Sequence, residues 1–186
     1  QPDRDRMSYQ DETGLLDLPR PNLPGAHQIM NAGAAITVLR ALGYGENACE
    51  AAVTGAEWPA RMQRLRHGPL VEAAPDAELW LDGGHNPAAG DALATHLKGL
   101  PERPTYMICG ILDTKDATGY LAPFKNAVDR LLAVTLPGEA NTLPAEETAK
   151  AAMSVGLEAQ HAQSVHKALA MIAEQAPQAR VLICGS

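Results

Sequence analysis

Aromatic residues are scarce in this chain of 186. There are one Phe, two Trp and four Tyr, 4% in all. The core must therefore be built from Ala, Leu, Val and Ile. Blocks of positive charge are missing too. The formal net charge is −7, and with no basic block to offset it the composition argues against non-specific binding to nucleic acid or to an anionic membrane. No apolar run is long enough to span a bilayer, and the first residues lack the apolar region of a signal peptide. The three cysteines, Cys49, Cys109 and Cys184, have no paired metal-binding spacing. Cys109 and Cys184 lie in apolar, strand-like runs, as expected of reduced, buried thiols in a cytoplasmic protein.

Three catalytic signatures are also absent. Without Gly-x-x-x-x-Gly-Lys-Ser/Thr, these residues cannot cradle a triphosphate in the P-loop manner. Without Gly-x-Ser-x-Gly there is no nucleophile elbow. Without Gly-x-Gly-x-x-Gly after a strand, a dinucleotide site is unsupported. What is present is ordinary for a globular chain: 46% hydrophobic and 20% charged residues, with room for one domain or one domain and part of another.

The stretch Leu79-Trp80-Leu81-Asp82-Gly83-Gly84-His85-Asn86-Pro87 is the most informative. Its apolar start reads as a short buried strand. Asn86 and Pro87 suit the cap and first position of a helix. A strand that turns through glycines into a helix is where α/β proteins place chemistry, so Asp82 and His85 stand where a phosphate or metal could be met. The plainer reading is that Asp82 caps the turn and His85 bonds locally.

Around this stretch the chain divides near Trp58-Pro59, where Pro turns the chain. Residues 1–24 are polar and Pro-rich. Gly14–Leu18 could form one strand, and Pro19, Pro21 and Pro24 follow, so this segment reads as a linker or the end of something larger. Gly25–Leu42 reads as a helix with Ile29, Ala32, Ile36 and Leu39 on one stripe. His27, Gln28 and Asn31 cluster elsewhere in its first turn. They either face water or hydrogen-bond a ligand such as a nucleotide base. Glu46–Gly55 reads as a second helix. Arg61, Arg64, Arg66 and His67 form a basic cluster, either a solvated face or a source of one arginine for a phosphate.

Beyond Trp58 strands and helices alternate. Strands are expected at Leu79–Leu81, Tyr106–Leu112, Arg130–Leu136 and Arg180–Cys184. Helices are expected at Pro87–Leu100, Ala145–Val155 and Val165–Ala176, with weak helix over Asp116–Asn126. The fold class is therefore α/β, a mostly parallel sheet with flanking helices. Pro87–Leu100 carries Ala89, Leu93, His96 and Leu100 on one face, with His96 read as a satisfied histidine at the helix edge. The loop Gly110-Ile111-Leu112-Asp113-Thr114-Lys115-Asp116 is a second strand-end site, read as a neighbour of the Asp82 loop. His161 and His166 read as surface residues. The stop at Gly185-Ser186, directly after a strand, gives the expectation of a fragment.

Four motifs occur in order: Gly25-Ala26-His27-Gln28 with Asn31, Trp58-Pro59-Ala60-Arg61, Asp82-Gly83-Gly84-His85-Asn86-Pro87, and Gly110 with Asp113-Thr114-Lys115-Asp116. Together they resemble the C-terminal part of the folylpolyglutamate synthase/dihydrofolate synthase family, in the Mur ligase superfamily. Gly84 stands where that family more often has Ala. The resemblance implies a Rossmann-like C-terminal domain over 58–186, preceded at 1–57 by the end of the central ATPase domain. It implies an ATP-dependent amide ligase. ATP phosphorylates the carboxylate of dihydropteroate or a folate, and the amine of L-glutamate attacks the acyl phosphate, with Mg²⁺ on the phosphates.

By motif, the resemblance implies that Gln28 and Asn31, beside His27, lie by the adenine or ribose. Arg61 would reach the phosphates. Asp82 and His85 would face the nucleotide and acyl phosphate. Lys115, with Asp116, would lie nearer the glutamate or the domain interface, and Ser186 would help hold glutamate. The P-loop, the main Mg²⁺ ligands and a carbamylated lysine would belong to an N-terminal part outside this sequence. This stretch alone is therefore not expected to catalyse ligation, and the parent is expected to be a cytoplasmic monomer. A non-catalytic α/β binding module and a cell-wall Mur-type amino-acid ligase stay open as alternatives.

Overall fold

The computed structural model describes residues 6–185, which fall into two compact units divided between Pro59 and Ala60. Ser186, expected near glutamate, lies outside the described residues.

In the first unit the segment read as a linker is a β-hairpin. Strands β1 (Arg6–Asp11) and β2 (Gly14–Pro19) pair antiparallel, with Met7 opposite Leu18 and Tyr9 opposite Leu16. Met7, Leu16 and Leu18 are buried because alternate side chains share one face of a strand. Helix α1 (Ala26–Ala41) and helix α2 (Glu46–Gly55) complete the unit. The expected stripe of α1 holds. Ala32 and Ile36 are buried with Cys49 and Val53 of α2, and Ile29 and Leu39 pack beside them.

The second unit is a six-stranded sheet between two helical layers. Its strands are β3 (Gln63–Arg64), β4 (Glu78–Asp82), β5 (Thr105–Gly110), β6 (Arg130–Ala133), β7 (Ala159–His161) and β8 (Arg180–Gly185). The order is β3-β4-β8-β5-β6-β7, all parallel except the antiparallel edge strand β3. The helices are α3 (Pro69–Ala73), α4 (Pro87–Lys98), α5 (Ala117–Leu121), α6 (Ala145–Ser154) and α7 (Val165–Gln175), with a 3-10 turn over Ala122–Phe124. One face buries Met107, Cys109, Leu131, Leu182 and Cys184 under α4, α5 and α6. The other buries Leu79, Ile108, Leu132, Val181 and Ile183 with α7. Near-continuous apolar strands follow from burial on both faces.

The structure departs from the sequence reading elsewhere too: β3, α3 and β7 were not expected, and the strand expected over Tyr106–Leu112 ends at Gly110. The strand expected over Arg130–Leu136 ends at Ala133. Helix α4 buries Gly90, Leu93, Ala94 and Leu97, and His96 is only half-buried. Gly90 faces α5 so closely that a Cβ there would stand 2.3 Å from the Tyr120 carbonyl oxygen. Most consequentially, β8 inserts between β4 and β5. The loops after β4 and β5 are therefore not immediate neighbours; the end of β8 separates them. The strand last in sequence is central in space. The helices that precede β5 and β8, α4 and α7, pack on opposite faces. The C-terminal ends of β4, β8 and β5 lie side by side, at the edge where open α/β sheets usually bind ligands.

Candidate functional site

In the second unit the site begins with Asp82, the last residue of β4, only 5% exposed. Both carboxylate oxygens are used. Oδ1 accepts from the Gly84 amide at 2.7 Å, and Oδ2 accepts from the Met62 amide at 2.7 Å. The first bond closes the glycine turn and the second ties that turn to the segment Ala60–Met62. A buried carboxylate carrying two backbone donors is a satisfied group. The turn then enters α4 as expected: Asn86 is the N-cap, accepting from Ala89 N at 2.9 Å, and Pro87 is the first helical residue.

His85, half-buried, places Nδ1 3.0 Å from the Gly83 carbonyl. A carbonyl only accepts, so Nδ1 carries the proton and Nε2 is left for another partner. Arg61 stands against the same turn. Its Nη1 donates to the Ala60 carbonyl at 3.0 Å, and that carbonyl also accepts from Gly83 N at 2.9 Å. A Cβ on Gly83 would come within 3.1 Å of Arg61 Nη1. The structure thus gathers Arg61, Asp82 and His85 around Gly83.

The residues flanking Arg61 carry a signal that the sequence did not. Ala60 and Met62 have positive φ, 54° and 41°, in a region that residues with a Cβ visit at a cost of roughly 1–2 kcal/mol each. Met62 pays this while its side chain is buried in the core beside Leu93. Strain of this kind persists only where the surroundings over-determine the backbone.

Lys115 lies on the loop after β5. That loop is braced by the segment 141–143: Asp113 N donates to the Asn141 carbonyl and Leu143 N to that of Ile111. Asp116 caps α5, accepting from Gly119 N at 2.8 Å. The Lys115 ammonium makes no hydrogen bond or ion pair among the described residues. On the sheet face under α4, α5 and α6, Cys109 and Cys184 are cross-strand partners. Burial, and then the neighbouring thiols, push the Tyr120 hydroxyl well above its ordinary pKa. Burial does the same to the Cys184 thiol.

His27, Gln28 and Asn31 belong to the first unit. Gln28 is 5% exposed, while His27 is half-buried and Asn31 is exposed. Its amide accepts from Asn31 Nδ2 at 3.0 Å and donates to His27 Nε2 at 3.0 Å. The His27 ring folds back over Gly25, where φ is 110° and a Cβ would lie 2.6 Å from the ring. Gln28 and Asn31 also line an apolar cavity of about 160 Å³ with Pro21, Leu23, Ile36 and Val53.

Among the described residues no group of three or more His, Cys, Asp or Glu is disposed to hold a metal. No described helix is long and apolar enough to cross a membrane.

A mostly parallel sheet with helices on both faces places the second unit in the doubly wound α/β class. Residues 60–186 match the family described as Mur ligase, glutamate ligase domain, and the chain belongs to that family. It is 28% identical to the folylpolyglutamate synthase of Lacticaseibacillus casei, over 97% of this chain and 41% of the relative. It superposes on E. coli FolC in complex with DHPP and ADP with a TM-score of 0.81 at 29% identity, over 100% of this chain and 42% of that one. A bifunctional folylpolyglutamate synthase/dihydrofolate synthase with Mn, AMPPNP and L-glutamate bound gives 0.78 at 25% identity, covering 99% and 44%. The chain thus spans less than half the length of these relatives.

Proposed function

We propose that this chain is the glutamate-ligase portion of an ATP-dependent amide ligase that joins L-glutamate to dihydropteroate or a folate. The observation that carries the reading is the gathering of Arg61, Asp82 and His85 around Gly83, at the C-terminal end of β4, in a domain of the glutamate ligase family. The similarity to relatives solved with ADP, AMPPNP and L-glutamate supports it.

In this reading residues 58–186 form the ligase domain and 1–57 the end of the ATPase domain. A P-loop comes from a segment outside this sequence. The Gln28 and Asn31 amides border the apolar cavity suited to a base, and His27 hydrogen-bonds Gln28 beside it. The Arg61 guanidinium neutralises phosphoryl oxygens as charge develops in transfer. His85, with its proton fixed on Nδ1, turns Nε2 to the nucleotide or acyl phosphate. Asp82 acts through its two backbone bonds, holding both neighbours in place. Lys115 meets the incoming glutamate carboxylates, with Asp116 shaping its loop. Mg²⁺, when bound, would supply charge neutralisation at the phosphates. We place the enzyme in the cytoplasm as a monomer.

The test is phosphate release from ATP by the full-length enzyme, with 7,8-dihydropteroate and glutamate, for wild type and His85→Ala. Glutamate-dependent release that falls in the variant supports the reading. Release independent of His85 removes that residue from the site. Absence of release with dihydropteroate and folate acceptors alike would favour a binding module. Release only with UDP-linked acceptors would favour a cell-wall ligase.

A further inference from the structure

Gln63 was not singled out by any motif, yet it closes the strained turn that carries Arg61. Its Oε1 accepts from the Ala60 amide at 3.0 Å, three residues back along the chain. The backbone of Gln63 is fixed independently, since β3 pairs with β4 and Gln63 sits opposite Leu81. A strand residue therefore reaches back and pins the near side of the turn.

The far side is pinned by the sheet. Asp82 takes the Met62 amide, and the Ala60 carbonyl takes the amide of Gly83. Between these anchors Ala60 and Met62 are held at positive φ. Either residue would relax to an ordinary conformation if its amide were released, because the left-handed region is unfavourable for both. Relaxation at Ala60 swings the following peptide, and with it the Arg61 side chain, away from Gly83.

The geometry points to Gln63 as a positioning residue: it acts through the Ala60 amide to hold the Arg61 guanidinium over the Gly83 turn. This rests on the proposed role of Arg61 at the phosphates. Gln63 touches no reacting atom. Its side chain is exposed, so replacing it creates no cavity, and its contribution is orientation rather than burial.

The experiment is a double-mutant cycle in the full-length enzyme, reading kcat and KM for ATP in glutamate ligation. The variants are Gln63→Leu, Gln63→Glu, Arg61→Ala and the pair Gln63→Leu with Arg61→Ala. A pair coupled through one structural element is non-additive. Gln63→Leu is expected to lower kcat/KM by about five- to tenfold, the size of one positioning hydrogen bond. Gln63→Glu keeps an acceptor and is expected to restore most of that loss. In the Arg61→Ala background Gln63→Leu should have an effect of less than about twofold.

If Gln63→Leu costs the same with or without Arg61, or Gln63→Glu fails to rescue, the positioning role is overturned while the reading of Arg61 stands. If Arg61→Ala leaves ligation unchanged, the role of Arg61 falls and takes this inference with it. Equal melting temperatures for wild type and Gln63→Leu exclude loss of fold as the cause. A lowered melting temperature with unchanged kinetics would make Gln63 purely structural and also overturn the proposal.

Discussion

Replacing Asp82 by alanine removes the acceptor for two backbone amides at once, those of Gly84 and Met62. A buried donor left without a partner costs about 1–3 kcal/mol. Asp82 is 5% exposed, so water does not readily take over its role. Gly84 is half-buried and can relax with its turn, which places its share at the low end. The sum is about 2–4 kcal/mol of lost stability. At roughly 3 °C per kcal/mol for a domain of this size, the melting temperature of the second unit should fall by about 6–12 °C. Asp82→Asn keeps one acceptor oxygen but turns an NH₂ toward the other amide, and should lose about half as much. The assay is urea unfolding followed by Trp80 fluorescence in a Trp58→Phe background, since Trp58 is exposed in the other unit. An unchanged slope with a lower midpoint is expected. A loss below about 0.5 kcal/mol for Asp82→Ala, the size of an ordinary surface change, would refute the claim that this carboxylate is a strut.

Other perturbations follow from the same contacts. Gly90→Ala, which at an exposed helix position would stabilise by about 1 kcal/mol, is expected to destabilise. Its Cβ would meet the Tyr120 carbonyl at 2.3 Å, and chemical denaturation reads the sign. Asn86→Ala should cost about 1 kcal/mol by loss of the α4 cap, and Asn86→Ser should recover most of it in the same assay. Burial raises the Glu78 carboxyl, but hydrogen bonds from Arg180 and Trp80 outweigh it and hold the group below its ordinary value. Its folded pKa is thus depressed. The stability it contributes is present above its ordinary pKa of 4.5 and is lost as pH falls through the lower folded value. Wild type should therefore lose more stability than Glu78→Gln between neutral pH and the acid range, as followed by urea midpoints.

Most elements of the second unit were legible because strands buried on both faces leave compact apolar runs such as Tyr106–Cys109 and Arg180–Cys184, and because Asn86-Pro87 announces a helix start. The order of the sheet was not legible. Nothing in the local pattern of β8 says that the last strand enters the middle, since pairing is decided by the packing of α4 and α7 on opposite faces. The second strand of the hairpin was legible over Gly14–Leu18, whereas the first was obscured by its polar residues, and its alternation of Met7 and Tyr9 is short.

At the candidate site the motif residues Arg61, Asp82 and His85 were visible, and the structure brings them together. What holds them was hidden. Ala60 and Met62 have no propensity for positive φ, so their strain is imposed by Gln63, Asp82 and Gly83 rather than encoded at those positions. Gln63 looked like one polar residue in a basic stretch. Its role depends on a three-residue return that only coordinates reveal.

The most direct test of the central claim is the product formed by the full-length enzyme from ATP, radiolabelled L-glutamate and either 7,8-dihydropteroate or tetrahydrofolate. The account predicts a labelled amide of one or both acceptors, formed only with ATP and diminished by Arg61→Ala. Label appearing solely on a UDP-linked cell-wall acceptor, or on no acceptor at all, would contradict it.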